Sequence, residues 1–260
     1  MTCRWLGPSI LAVVASVATG CVGGSSDGSS SSASVPSPSV SPSPSVSATP
    51  SPTGPNHIAS LAPAKALSAV SSAAATQTSV RISGSVVDSG VTLRLVVQAG
   101  TTMGQGRLTL AGGHVALRFT EGALFFNGDL KGLTALGVKK ATAAKASGRW
   151  IGGDATSSPL TAFVSFQDLV GSILSPTGHV VAGHDTTVRG TRAYTLIDSD
   201  AKSGGTLYVA TSGEPLPLQI VNLKRHEKLT FADWSAPLSV TAPPNAITVP
   251  SATTAPSAGS

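Results

Sequence analysis

From Val80 to Asn127 the chain alternates apolar and polar residues with a period of two, and this constrains its fold more than any other feature. Val80, Ile82, Gly84 and Val86 fall on one face, with Arg81, Ser83 and Ser85 on the other. Val91, Leu93, Leu95 and Val97 likewise oppose Thr92, Arg94 and Gln98. Leu108 and Leu110 alternate with Arg107 and Thr109, then Val115, Leu117 and Phe119 with His114 and Arg118. The breaks between these runs are short and rich in glycine, such as Asp88-Ser89-Gly90 and Ala111-Gly112-Gly113, which makes neighbouring strands antiparallel hairpins. Leu124 to Asn127 adds a fifth strand, ended by Asn127-Gly128-Asp129. A sheet patterned this way has one apolar face, and something must cover it.

Helical segments supply the cover. Ala62 to Ala75 carries Leu61, Lys65, Leu67, Ala69 and Val70 among alanines, a helix with a thin apolar stripe. Leu133 to Ser147, ended by Gly148, reads as one helix with Lys139, Lys140 and Lys145 on a solvated face. Ser158-Pro159 opens another with a cap and a first-turn proline. Its apolar residues Leu160, Phe163, Val164, Phe166, Leu169, Val170, Ile173 and Leu174 span too wide an arc for a single stripe, so burial on most sides is expected. Strands resume at Arg192–Asp198, Thr206–Ala210, Leu218–Leu223 and Lys228–Phe231. The fold class is α+β, an antiparallel sheet with helices against one face.

The ends of the chain do not belong to that domain. Residues 1–20 have the parts of an export signal: one charge at Arg4, an apolar stretch from Ile10 to Ala18, and small residues before Cys21. That stretch is under half the roughly 20 residues a helix needs to cross a bilayer. Cys3 lies in the segment to be removed, so the mature chain keeps only Cys21, which has no partner for a disulfide and no core around it. The pattern reads as a bacterial lipoprotein signal, with Cys21 lipidated and cleavage before it. Ala18 stands three residues before the cysteine, where such signals favour Leu. A diacylglyceryl thioether at Cys21 supplies two acyl chains, each buried methylene adding about 0.8 kcal/mol of membrane affinity. Residues 21–57 form a tether of Ser, Pro, Gly, Thr and Ala that buries too little apolar surface to fold. It spans on the order of 35 Å as a coil and up to about 100 Å as a polyproline-like chain. Residues 58–250 make one domain, and 251–260 a low-complexity tail.

The whole chain carries a net charge of +5, an excess small enough for an ordinary soluble surface, and no arginine-rich run points to nucleic acid. Aromatics make up 4% of the residues, and after the signal none precedes Phe119. A wide sheet poor in large side chains either packs tightly with aliphatics or encloses a hollow of lipid size; composition allows both. A Gly-x-Ser-x-Gly match at Gly24-Ser26-Gly28 falls in the tether, where no strand-turn-helix elbow can form. His179, His184 and Asp185 read as loop and strand-edge residues rather than metal ligands. No catalytic residue, metal or cofactor is assigned.

Several segments together resemble the LppX/LprG-type actinobacterial lipoproteins of the wider LolA-like half-barrel superfamily: the export signal and tether, the helix, the meander, the paired helices, and Gly148-Arg149-Trp150-Ile151 entering a strand. Glu214-Pro215-Leu216-Pro217-Leu218-Gln219-Ile220 and the closing Leu229-Thr230-Phe231-Ala232-Asp233-Trp234 complete the set. The resemblance implies a curved antiparallel half-barrel with helices in its concavity and an apolar pocket for the acyl chains of lipids or glycolipids. It brings no catalytic residues. On this reading Val86, Leu93, Leu95, Leu108, Leu117 and Phe163 line the cavity, and the protein is a monomeric, membrane-anchored carrier. The alternative is a filled-core sensor or interaction module presenting a surface to an envelope protein.

Overall fold

The computed structural model describes residues 54–88, 90–154, 164–200 and 204–248. The export signal, Cys21 and nearly all of the tether lie outside the described residues, as do Ser158-Pro159, Leu160 and Phe163.

A first meander runs β1 (Ser79–Asp88), β2 (Val91–Gly100), β3 (Gly104–Leu110), β4 (Gly113–Thr120), β5 (Ala123–Gly128) and β6 (Ile151–Asp154). A second runs β7 (Val180–Val188), β8 (Thr191–Asp198), β9 (Thr206–Ala210), β10 (Pro217–Asn222) and β11 (Glu227–Ala232). Pairing of β11 with β1 joins the two into one curved antiparallel sheet. A two-residue strand, β12 (Ile247–Thr248), lies parallel to β6 at one margin, β7 forms the other, and the margins do not meet. The hairpin turns at Ala111-Gly112, Glu121-Gly122 and Arg189-Gly190 hold both central residues at positive φ. This is the turn type whose twist matches that of paired strands.

One row of inward positions crosses the sheet from β8 to β5 in unbroken register: Leu196, Leu207, Ile220, Leu229, Gly84, Leu95, Leu108, Val115 and Gly128. Seven of these nine side chains are aliphatic and buried, and each such burial contributes about 1.5–3 kcal/mol. The covering helices are too short to stand alone in water, so this face is what holds them. α1 (Pro63–Ala75) lays Ala66, Val70 and Ala74 on it, one residue per turn. Ahead of α1, Asn56 fastens the end of the tether to the far rim, its side chain donating to the Ala210 carbonyl at 2.8 Å.

Three sequence expectations are corrected. The helix expected over Leu133 to Ser147 is two: α2 (Leu130–Ala135) and α3 (Lys140–Ala146). Asp129 starts α2 early by accepting the Gly132 amide at 2.6 Å, and Gly137 at φ 87 ends it. Lys139, Lys140 and Lys145 are exposed, as expected. The helix expected to be buried on most sides is, where described, α4 (Phe166–Ile173), with Phe166, Leu169, Val170 and Ile173 on a single stripe and Gln167, Asp168, Gly171 and Ser172 exposed. His184 and Asp185, read as loop and strand-edge residues, lie at the sheet's edge, but within a full strand, β7, that was not among those expected. Its register shifts between Ala182 and Asp185, and that irregularity erases the alternation by which a strand is recognised.

Asp129 also accepts the His114 amide at 3.1 Å, tying α2 to β4. The Gly132 amide is the main cause that holds its carboxyl below the ordinary aspartate range. Partial burial opposes this, and the His114 amide and the charges of His114 and Lys131 reinforce it. Because the folded-state value is depressed, the stabilisation is complete above the ordinary aspartate range and lost as pH falls through the folded-state value. Asp129→Ala is expected to lower stability by about 1 kcal/mol at neutral pH. In urea titrations the gap from the native chain should close in acid; a gap independent of pH would contradict the cap.

Candidate functional site

The inner face of the sheet is the candidate site. Val86, Leu93, Leu95, Leu108 and Leu117 are all buried there and belong to one continuous apolar cluster. Val86 stands opposite Leu93, Leu95 opposite Leu108, and Leu117 opposite Gly106. Phe163, the sixth expected lining residue, lies outside the described residues, as does Cys21.

Glycines on β3 set the distance between sheet and cover. At Gly104 a Cβ would stand 2.4 Å from the Val164 carbonyl oxygen, so the chain leading into α4 rests directly on the strand backbone. Gly106, two residues on, would bring a Cβ to 2.5 Å from Val97. An isolated bridge between Gly100 and Ser165 pins the same segment to the end of β2. Here the segment leading into α4 lies close against the sheet.

Aromatic residues gather at this rim. Phe166 meets Trp234 edge-on at 6.4 Å between ring centroids, and Phe231 stacks on Trp234 at 6.0 Å. The Trp234 indole donates to the Pro217 carbonyl at 3.1 Å, fixing the ring. The low aromatic content therefore describes β1, β2 and β3, which carry none. Toward β5, Leu133 of α2, Ala143 and Ala146 of α3 and Ile151 of β6 form a satellite cluster.

Buried polar groups lie at the rims and hold backbone. Asp198 accepts the amides of Thr177, Gly178 and Asp200 and the Thr177 hydroxyl, all within 3.1 Å, which fixes the turn into β7. At the opposite rim Gln77 donates to Glu214 at 2.6 Å and accepts from Ser235 at 2.7 Å. Below β10 and β11 the Arg225 guanidinium meets Glu227 at 3.1 Å. None of these groups was singled out by sequence reasoning. His184 lies in the β7 irregularity, its backbone amide and carbonyl both bonded to the Thr195 hydroxyl. Among the described residues no three His, Cys, Asp or Glu side chains converge as metal ligands would. A cleft of about 310 Å³ opens where the tether meets the sheet, between Asn56, His57, Asp185 and Arg192.

The chain is similar to the crystal structure of LprF from Mycobacterium bovis. The match is 9% identical in sequence with a TM-score of 0.45, and covers 75% of this chain and 99% of that one. A DUF1329 family protein from Desulfovibrio piger ATCC 29098 is similar at 11% identity and a TM-score of 0.27, over 69% of this chain and 96% of that one. No family model matches the chain. No curated protein matches it either. At such identities no residue of either structure is carried over.

Proposed function

We propose that this protein is a lipoprotein held on the extracytoplasmic face of the cell membrane by acylated Cys21, and that it binds acyl chains of lipid or glycolipid against the inner face of its sheet without turnover chemistry. The observation that supports this reading is the composition of that face. Leu93, Leu95, Leu108 and Leu117 present branched aliphatics on adjacent strands, and Ala66, Val70 and Ala74 of α1 belong to the same apolar cluster. An acyl chain needs a surface with no polar group to desolvate and no fixed hydrogen-bond partner, and methylenes gain about 0.8 kcal/mol each on leaving water for it. The tether lets the domain reach the bilayer from which such chains come.

The test uses the full chain carrying Cys21→Ala, so that no covalent lipid confuses the result. Native mass spectra and an organic extract are expected to show reproducible lipid-sized adducts. Leu95→Trp, which fills space without adding charge, should reduce their occupancy at least several-fold. A clean apo mass, together with no uptake of a fluorescent fatty acid, would sink the carrier reading. In cells the same Cys21→Ala change should move the protein out of the membrane fraction, and full retention would refute the anchor.

A further inference from the structure

The outer face of the sheet concentrates charge of one sign. On the adjacent strands β11, β1, β2, β3 and β4, the outward positions include Lys228, Arg81, Arg94, Arg107 and Arg118, and no Asp or Glu occupies an outward position of these strands. The modest net charge of the chain thus understates the potential above this surface.

Within it lies a cleft of about 360 Å³ lined by Ser83 and Ser85 of β1, Lys228 and Thr230 of β11, Gln219 of β10, and Arg189 from the β7–β8 turn. Ser83 is in register with Thr230, Ser85 with Lys228, and Gln219 with Thr230, so these side chains stand as immediate neighbours on one face. Arg94 is in register with Ser85 from the next strand, setting another cation beside the group. Neither Arg189 nor Lys228 forms an ion pair among the described residues. Gln219 is 8% exposed, and its amide reaches the Thr230 hydroxyl only at 3.5 Å, the limit of a hydrogen bond.

The chemistry of this set is one-sided. It holds a guanidinium, an ammonium, three hydroxyls and a carboxamide, all able to donate, and no carboxylate. The hydroxyls and the carboxamide can also accept, so the ligand is selected by charge: two cations with no carboxylate beside them favour an anion and repel a cation. A planar carboxylate accepts from one plane, whereas these donors come from three strands and a turn. We propose that the cleft binds a phosphoryl group, as monoester or diester, with Arg189 and Lys228 supplying charge-assisted bonds and the strand hydroxyls completing the shell. The inner face has no part in this inference, which stands whether or not that face holds lipid.

Inorganic phosphate and a phospholipid headgroup share this chemistry, and two measurements separate them. Calorimetric titration of the purified full chain with inorganic phosphate, at constant ionic strength against chloride, is expected to give saturable binding. Arg189→Gln and Lys228→Gln should each weaken it about tenfold, the scale of one charge-assisted hydrogen bond, while Lys140→Gln on α3 leaves it unchanged. Both cations are exposed, so the variants should melt like the parent. Sedimentation of the Cys21→Ala chain with phosphatidylcholine vesicles, with and without phosphatidylglycerol, then identifies the source. Preference for phosphatidylglycerol that both substitutions abolish assigns a lipid headgroup, and phosphate binding without vesicle preference assigns a soluble phosphoryl compound. Failure of both arms, or binding in either that survives both substitutions, overturns the proposal.

Discussion

Arg225→Ala is expected to destabilise the fold by about 3–5 kcal/mol, the scale of a buried charge that loses its counterion. The Glu227 side chain is completely buried, while that of Arg225 is 21% exposed, so the carboxylate depends on the protein and the guanidinium does not. One Glu227 carboxylate oxygen accepts the Val87 amide at 3.0 Å and meets Arg225 Nε at 3.1 Å; the guanidinium also donates to the Val87 carbonyl. The Arg225 amide in turn donates to Asn222 at 3.2 Å. This set therefore ties the β10–β11 turn to the end of β1, across the pairing that joins the two meanders. Removing the guanidinium takes the Arg225 charge away from a carboxylate that stays inside the fold. Replacing both members, as Arg225→Leu with Glu227→Leu, should cost less than Arg225→Ala alone, because the double change also removes the desolvation of the acid. Urea titration of the two variants decides the matter. A loss under about 1 kcal/mol for Arg225→Ala would make this pair equivalent to a solvated surface bridge.

The same pair shows why the site was only partly legible in the sequence. Arg225 and Glu227 flank a histidine in a polar run, Lys224-Arg225-His226-Glu227-Lys228, which reads as a solvated turn. Only the approach of Val87, some 140 residues away, converts it into a buried cluster. By contrast β1 to β5 were legible because each strand carries its own alternation and each hairpin its own turn residues, so local information sufficed. β7 was not, since an irregular margin strand has neither a regular inward face nor two partners. The helical segment after β5 was misread as continuous because alanines and lysines favour helix on either side of Gly137, and its strength as a break depends on the backbone it must adopt. Of the expected lining residues, the five on strands follow directly from the alternation and are buried together.

The apolar face was legible as a face; its cover was not. Gly104 and Gly106 fall on the inward parity of β3 and look like weak points of a strand, yet they are where the α4 segment approaches and where Val97 needs room. The outer arginines have the opposite history. Each was visible as the polar half of an alternation, but that the four share one unbroken surface with Lys228 follows only from the order β11, β1, β2, β3, β4.

Gly84→Ala is expected to cost about 3–4 kcal/mol, far more than one methyl group would at an ordinary strand position. Gly84 lies at φ 152, and a Cβ built there would stand 1.9 Å from the Lys228 carbonyl oxygen and 3.0 Å from the Leu229 Cα. Both obstacles are backbone, so no side chain can swing aside; the strands themselves must part. They are β1 and β11, whose pairing joins the two meanders. Gly84 is in register with both Leu229 and Leu95, so separation there also breaks the apolar row that crosses the sheet. Loss of glycine's extra freedom in the unfolded chain would by itself favour alanine by about 0.4–1 kcal/mol, which fixes the sign of the comparison. Gly153→Ala provides it, since a Cβ at Gly153 on β6 meets nothing within 4 Å and its effect should lie near zero or be slightly stabilising. Hydrogen exchange should show where the damage falls. Amides of β1 and β11 should lose protection first in Gly84→Ala, while the hairpin of β3 and β4 keeps its own. Equal, small effects of the two alanine substitutions would mean that the β1–β11 pairing can relax around a side chain, and that the two meanders are joined less rigidly than their register implies.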